Sequence, residues 1–198
     1  MDVTTLIEPP STVSALALEV AHRYLTPALL NHSIRSYAWA VDYGRRHQVP
    51  FDAELLYVSA MLHDCGLVPE FDSHTIPFEV ASGHLAWVFG AAAGWAPERR
   101  SRASQTIVDH MRDNIDPAIY PEGHLLGVAT SLDVSGHDAD DWTSAIRTSI
   151  LDYLPRLDLK TEFLHCFEEQ SRRKPESTAA AAMRAGIAHR IATNPLDG

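Results

Sequence analysis

The chain has 198 residues, 45% of them hydrophobic, with 26 acidic against 16 basic side chains and a formal charge of -10. Such a length and apolar content suffice for one substantial core, so a single domain over residues 1–198 is expected, with roughly the first ten residues and the last few flexible. The acidic balance argues against a nucleic-acid polymer as partner, and no run approaches the eighteen or so apolar residues of a membrane span. The opening MDVTTLIEPP lacks the basic start and apolar centre of a signal peptide, so a cytoplasmic location is expected. Cys65 and Cys166 form neither a disulfide framework nor a CxxC thiolate site, and Cys65 reads as a small buried residue.

Hydrophobic periodicity predicts helices almost throughout. Ile34, Tyr37, Ala38 and Val41 recur at the i, i+3, i+4, i+7 spacing of an amphipathic helix that ends between Gly44 and His47. Pro50 and Asp52 open a second helix through Leu55, Val58 and Leu62, which stops near Gly66, with Pro69 confirming the break. His63 and Asp64 therefore fall in its last turn. Pro77 starts a third helix to about Ala93, and Pro97 a fourth to about Met111. After the loop RDNIDPAIYPEG, a fifth runs from about Gly123 to Val134. Asp140 or Asp141 caps a sixth that ends before Pro155, and two more cover residues 159–171 and 177–193. No strand alternation, internal repeat or low-complexity tract interrupts the pattern. The expected fold class is all-α, a single-domain helical bundle.

Several polar residues stand where that pattern calls for apolar ones. Asp133 follows Leu126, Ala129 and Thr130 on one face of the fifth helix and so points inward. A buried carboxylate costs several kcal/mol unless it finds a cation, a metal or hydrogen-bond donors. His110 shares a face with Ala103, Ile107 and Met111, and His32 stands at the start of the first long helix. Two imidazoles and two carboxylates, His32, His63, Asp64 and Asp133, suit a divalent ion such as zinc, iron or manganese with positions left for water.

A histidine, a His-Asp doublet on a later helix and a distant aspartate in an all-helical chain resemble the HD superfamily of metal-dependent hydrolases. The closer likeness is to its cyanamide hydratase-like branch. The segments NHSIRSY (31–37), LHDCGL (62–67), PFEV (77–80), TIVDHM (106–111) and TSLDVSG (130–136) carry it, in the family's order, and RKPEST near the end is also similar. The doublet alone is a weak motif; the ordered set is more specific. The resemblance implies a bundle of the HD-domain type with His32, His63, Asp64 and Asp133 as ligands of one divalent ion, zinc before iron or manganese. It also implies pocket roles for His110, Glu79 and Arg35. The chain is shorter than fungal cyanamide hydratases, with a tighter interval between first histidine and doublet. His84 stands outside the family pattern; joined with His110 at a second ion it would make the site dinuclear, a reading of smaller weight.

Taken singly, these residues have plainer readings. The Asp64 carboxylate can cap a helix end or pair with Arg35; a lone buried histidine such as His110 is more often a hydrogen-bonded core group. Arg35, three residues after His32 and on its face, serves equally as an anion-binding group or as partner to a neighbouring carboxylate. Glu79 lies in a helix's first turn, where any acid is favoured. His22, His47, His124, His137, His165 and His189 read as surface or packing residues, and Tyr37, Trp39 and Trp87 as core.

The expected function is hydration or hydrolysis of a small, largely uncharged substrate, best a nitrile-like compound, in which metal-bound hydroxide attacks the electrophilic carbon. His110 is the expected proton donor, with Asp64 or Asp133 as alternative shuttles. An HD-type phosphohydrolase acting on a nucleotide or phosphate ester is the alternative, weakened because only Arg35 and Arg112 near the motifs supply positive charge and no acidic pair follows the doublet as in HDxxED. A non-catalytic metal- or ligand-binding module is the third reading. The expected partner is a small-molecule substrate, with a homo-oligomer left open.

Overall fold

The computed structural model describes residues 3–197, and among them the chain forms helices and no strand. Expectations about the ends fall partly on residues 1, 2 and 198, outside the described residues. The helices are α1 (Val3–Ile7), α2 (Thr12–Tyr24), α3 (Pro27–Arg46), α4 (Ala53–Leu62), α5 (Phe78–Ala92), α6 (Pro97–Asp109), α7 (Pro121–Ser135), α8 (Ser144–Tyr153), α9 (Leu159–Arg173), α10 (Thr178–Arg184) and α11 (Ile187–Ala192). No helix among the described residues is long and apolar enough to cross a membrane.

Local chemistry explains most boundaries. Thr26, Asp52, Thr143 and Ser177 each accept a hydrogen bond from a first-turn backbone N–H of α3, α4, α8 and α10, and Pro27, Pro97 and Pro121 occupy first-turn positions that need no donor. Gly136, left-handed with φ 69°, ends α7. Two expectations are corrected, and two helices stand where the sequence reading assigned no element. The chain before Pro27 forms α1 and α2, and α1 buries Val3 and Leu6. Thr143, not Asp140 or Asp141, caps the sixth expected helix, those two acids lying in a short 3-10 turn. Gly186, at φ 81°, splits the last expected helix into α10 and α11.

At the centre lies α4, whose residues from Leu55 to Leu62 are all buried, packed among α2, α3, α5, α6 and α7. A helix apolar on every side belongs in a core. Beside it, α3 runs between α4 and α7 and also touches α9. The turn after α4 carries His63 and Asp64 and presses on the start of α5. There the Gly66 N–H donates to Ser82 Oγ at 2.8 Å, and a Cβ on Gly66 would stand 2.1 Å from the Phe78 carbonyl oxygen. Only glycine permits that approach, which fixes the doublet against the core.

Candidate metal centre

His32 of α3 and the doublet after α4 meet in the interior, all three residues 1% exposed or less. His63 donates from Nδ1 to the Ala60 carbonyl at 2.7 Å, and His32 donates from Nδ1 to Asp133 Oδ2 at 2.7 Å. Both acceptors lack a proton to give, so each neutral ring presents a bare Nε2 lone pair. These nitrogens lie 3.2 Å apart, and Asp64 Oδ2 is 3.3 Å from one and 3.2 Å from the other. Neither Asp64 oxygen accepts a hydrogen bond. Two lone pairs and an undonated buried carboxylate at such distances call for a cation between them. Bonds of about 2.0–2.1 Å in tetrahedral array give ligand edges of roughly 3.3 Å, so the triangle fits a divalent ion and leaves one coordination position without a protein ligand. Among the described residues this is the one group of three or more such ligands able to hold an ion.

The structure places Asp133 differently from the expected fourth ligand. Arg35 forks onto it, Nε to Oδ1 and NH2 to Oδ2, both at 2.8 Å, and the Trp39 indole N–H donates to Oδ1 at 2.8 Å. With the His32 bond, both oxygens are engaged, and the carboxylate stands behind His32, outside the triangle. A carboxylate on the far nitrogen of a ligating histidine fixes its tautomer and ring orientation. The remaining Arg35 nitrogen, NH1, donates to the carbonyls of Leu154 and Pro155, so Arg35 is a fully buried partner of Asp133 and does not line the cleft. The Asp133 carbonyl in turn accepts from Arg156 and from Asn194 Nδ2. Helical spacing placed Asp133 inward but carried no sign of Trp39, Arg156 or Asn194 around it.

Charge follows this wiring. Burial opposes ionisation of Asp133, yet Arg35 above all holds its carboxyl well below the usual range. Burial also opposes the charge of Asp64, and the neighbouring His63 and His32 overcome it and lower its pKa. For His32, burial lowers the pKa, but the bond to Asp133 and the negative charge of Asp64 outweigh it and raise the value from 6.5. That proton stabilises the metal-free fold fully below pH 6.5 and ceases to as pH climbs through the raised value. An ion binding at Nε2 must displace it. Zinc affinity, measured by chelator competition across about pH 5.5 to 8.5, should therefore rise with pH by up to about tenfold per unit and then level off; a flat profile would contradict the arrangement.

His110, just past α6, lies beside the triangle with its ring centroid 5.0 Å from that of His63. Its Nδ1–H donates to the Ile107 carbonyl, and burial, followed by the field of His63, drives its pKa down to about 3. A neutral ring with Nδ1 committed offers Nε2 as an acceptor, so His110 has to take up a proton before it can donate one, where the sequence reading expected a histidine near its ordinary pKa. Glu79 is buried away from the cleft and accepts from Thr178 Oγ1 at 2.7 Å; burial raises its pKa. His84 is exposed on α5, apart from His110, so the two do not share an ion. Trp87 is exposed too, with the Arg100 guanidinium over its ring, whereas Tyr37 and Trp39 are core.

A cleft of about 790 Å³ opens onto His32, His63, Asp64 and His110. Thr130, Ser131 and His124 of α7 line it, as do Phe163 and Phe167 of α9. Sequence reading assigned these no role; the i+4 recurrence of Gly123, Gly127, Ser131 and Ser135 along α7 was the available signal.

The HD domain family model matches residues 29–140, a span holding His32, His63, Asp64, His110 and Asp133. Cyanamide hydratase DDI2 and cyanamide hydratase DDI3 of Saccharomyces cerevisiae are each 31% identical to this chain over 181 residues, covering 86% of the chain and 78% of the relative.

Proposed function

The chain belongs to the HD-domain family of metal-dependent hydrolases, and from that premise we propose that it hydrates a small, uncharged, nitrile-like compound. One divalent ion, zinc before iron or manganese, is held by His32, His63 and Asp64. The observation that carries the reading is the Asp64 carboxylate, wholly buried, without a hydrogen-bond donor, and facing two imidazole nitrogens at 3.2–3.3 Å. When bound, such an ion supplies a water whose pKa falls from about 16 to roughly 7.

The protein's own groups do the rest. Asp133 holds His32 in the tautomer that leaves Nε2 free, and the Ala60 carbonyl does the same for His63. His110, its Nδ1–H given to Ile107, takes the proton of the attacking water on Nε2 and passes it to the nitrile nitrogen. One C–O bond forms as one π bond of the C≡N group breaks; the imidic acid so formed then tautomerises to the amide. Asp64 Oδ1, also without a donor, is a second station for that proton.

The substrate class rests on the yeast relatives' names and on the sparse positive charge. A phosphate ester needs cations around its oxygens. Arg35 is spent on Asp133, and Arg112 pairs with Asp109 at 3.1 Å with over half its side chain in solvent. Zinc-loaded protein is expected to convert cyanamide to urea. His110→Ala should lower kcat by about 10²- to 10⁴-fold while metal content stays unchanged. Hydrolysis of phosphate esters by a preparation inert toward cyanamide would transfer the assignment to the phosphohydrolase reading.

A further inference from the structure

The cleft is far larger than the smallest nitriles need. Three heavy atoms occupy on the order of 60 Å³, two waters' worth at about 30 Å³ each, against a cleft of about 790 Å³. Pockets of roughly 300–1,000 Å³ suit ligands several times that size. The cleft follows α7, whose lining residues run from position 123 to 135, about 18 Å at 1.5 Å per residue.

Its chemistry differs between middle and ends. Opposite α7, the rings of Phe163 and Phe167 lie 4.7 Å apart, and Phe163 meets His32 edge-on at 5.6 Å. Apolar surface thus begins at the metal centre itself. Of the polar side chains near its rim, Arg112 pairs with Asp109, His137 lies 3.1 Å from Asp138, Arg190 donates to the Ala185 carbonyl, and Asp113 stands exposed at the same rim.

We infer that the substrate carries, beyond its reactive carbon, a mainly apolar substituent several atoms long, which lies along α7 against Phe163 and Phe167. The inference rests on the hydration reading and narrows it to substituted nitriles or cyanamides, R–NH–C≡N plus water giving R–NH–CO–NH₂. Binding limits point the same way. A three-atom ligand binds at about 0.5 mM at best, whereas a substituent adds contacts whose energy can be used at the reacting carbon.

Kinetics of zinc-loaded protein on cyanamide, N-methylcyanamide and N-benzylcyanamide, with calorimetric binding of urea and N-benzylurea, tests it. The expected result is kcat/KM at least tenfold higher for N-benzylcyanamide than for cyanamide, and N-benzylurea binding at least tenfold tighter than urea. Val128→Trp, which narrows the cleft, should pull the kinetic ratio toward one. Turnover of cyanamide with none of N-benzylcyanamide, or equal binding of the two ureas, overturns the inference and leaves hydration standing. Tight N-benzylurea binding with neither cyanamide converted supports the elongated site and overturns hydration.

Discussion

Asp64→Ala should empty the metal centre, taking the ion content from about one per chain to near zero and activity with it. Asp64 provides one corner of a triangle with edges of 3.2–3.3 Å, and two imidazoles alone are a poor site for a divalent ion. The variant should cost the metal-free fold little by comparison with changes at Asp133, because no hydrogen bond to Asp64 is lost. Elemental analysis and melting with and without chelator separate the two effects. An ion present at a thousand times its Kd adds about 4 kcal/mol to the native protein, so chelator should lower the native melting temperature and leave that of Asp64→Ala where it was. Retention of about one ion by the variant would remove Asp64 from the ligand set; His63→Ala should behave in the same way.

The contrast between Asp64 and Asp133 also marks how far the sequence could be read. Both are acids in apolar surroundings; periodicity turned Asp133 inward, while Asp64 was placed only in the last turn of a helix. Their difference lies in what surrounds them, and those partners come from 94 to 101 residues away for Asp133. Arg35 shows the same limit: its spacing from His32 allowed either an anion-binding or a carboxylate-pairing role, and only the docking of α7 on α3 decided between them. Helix positions were legible wherever proline or a capping side chain stood beside an apolar stripe, as at Pro97 and Asp52. They were missed before Pro27, where α2 buries only Ser14, Ala17 and Ala21, small residues that make a faint stripe. Gly186 divides α10 from α11 without disturbing the helical composition on either side, so composition alone read through it. His110 was located correctly, but its role depended on burial and on the Ile107 carbonyl, neither of which has a signature at the level of spacing.

Asp133→Ala and Arg35→Ala should be the most destabilising changes near the site. Arg35 and Asp133 are completely buried and joined by two bonds of 2.8 Å; removing Asp133 strands the Arg35 guanidinium and removing Arg35 leaves Asp133 facing only Arg156 at 3.7 Å and His32, and breaking such a buried pair costs about 3–5 kcal/mol. That is a large share of the roughly 5–15 kcal/mol that holds a domain folded. Arg35→Lys should recover only part of the loss, since an ammonium cannot reproduce the fork. Exchanging both partners together, Arg35→Met with Asp133→Leu, should cost less than the two alanine losses summed, because each single change breaks the pair and leaves one charge behind. Urea unfolding of the metal-free proteins measures this, and a loss below about 1 kcal/mol for Arg35→Ala would show that the pair is not holding the helices as described. Zinc affinity supplies the second axis. Behind His32, Asp133 acts by orienting the ring, so its removal should weaken binding about 10- to 100-fold. Loss as complete as in Asp64→Ala, in a variant shown to be folded, would return Asp133 to the ligand set.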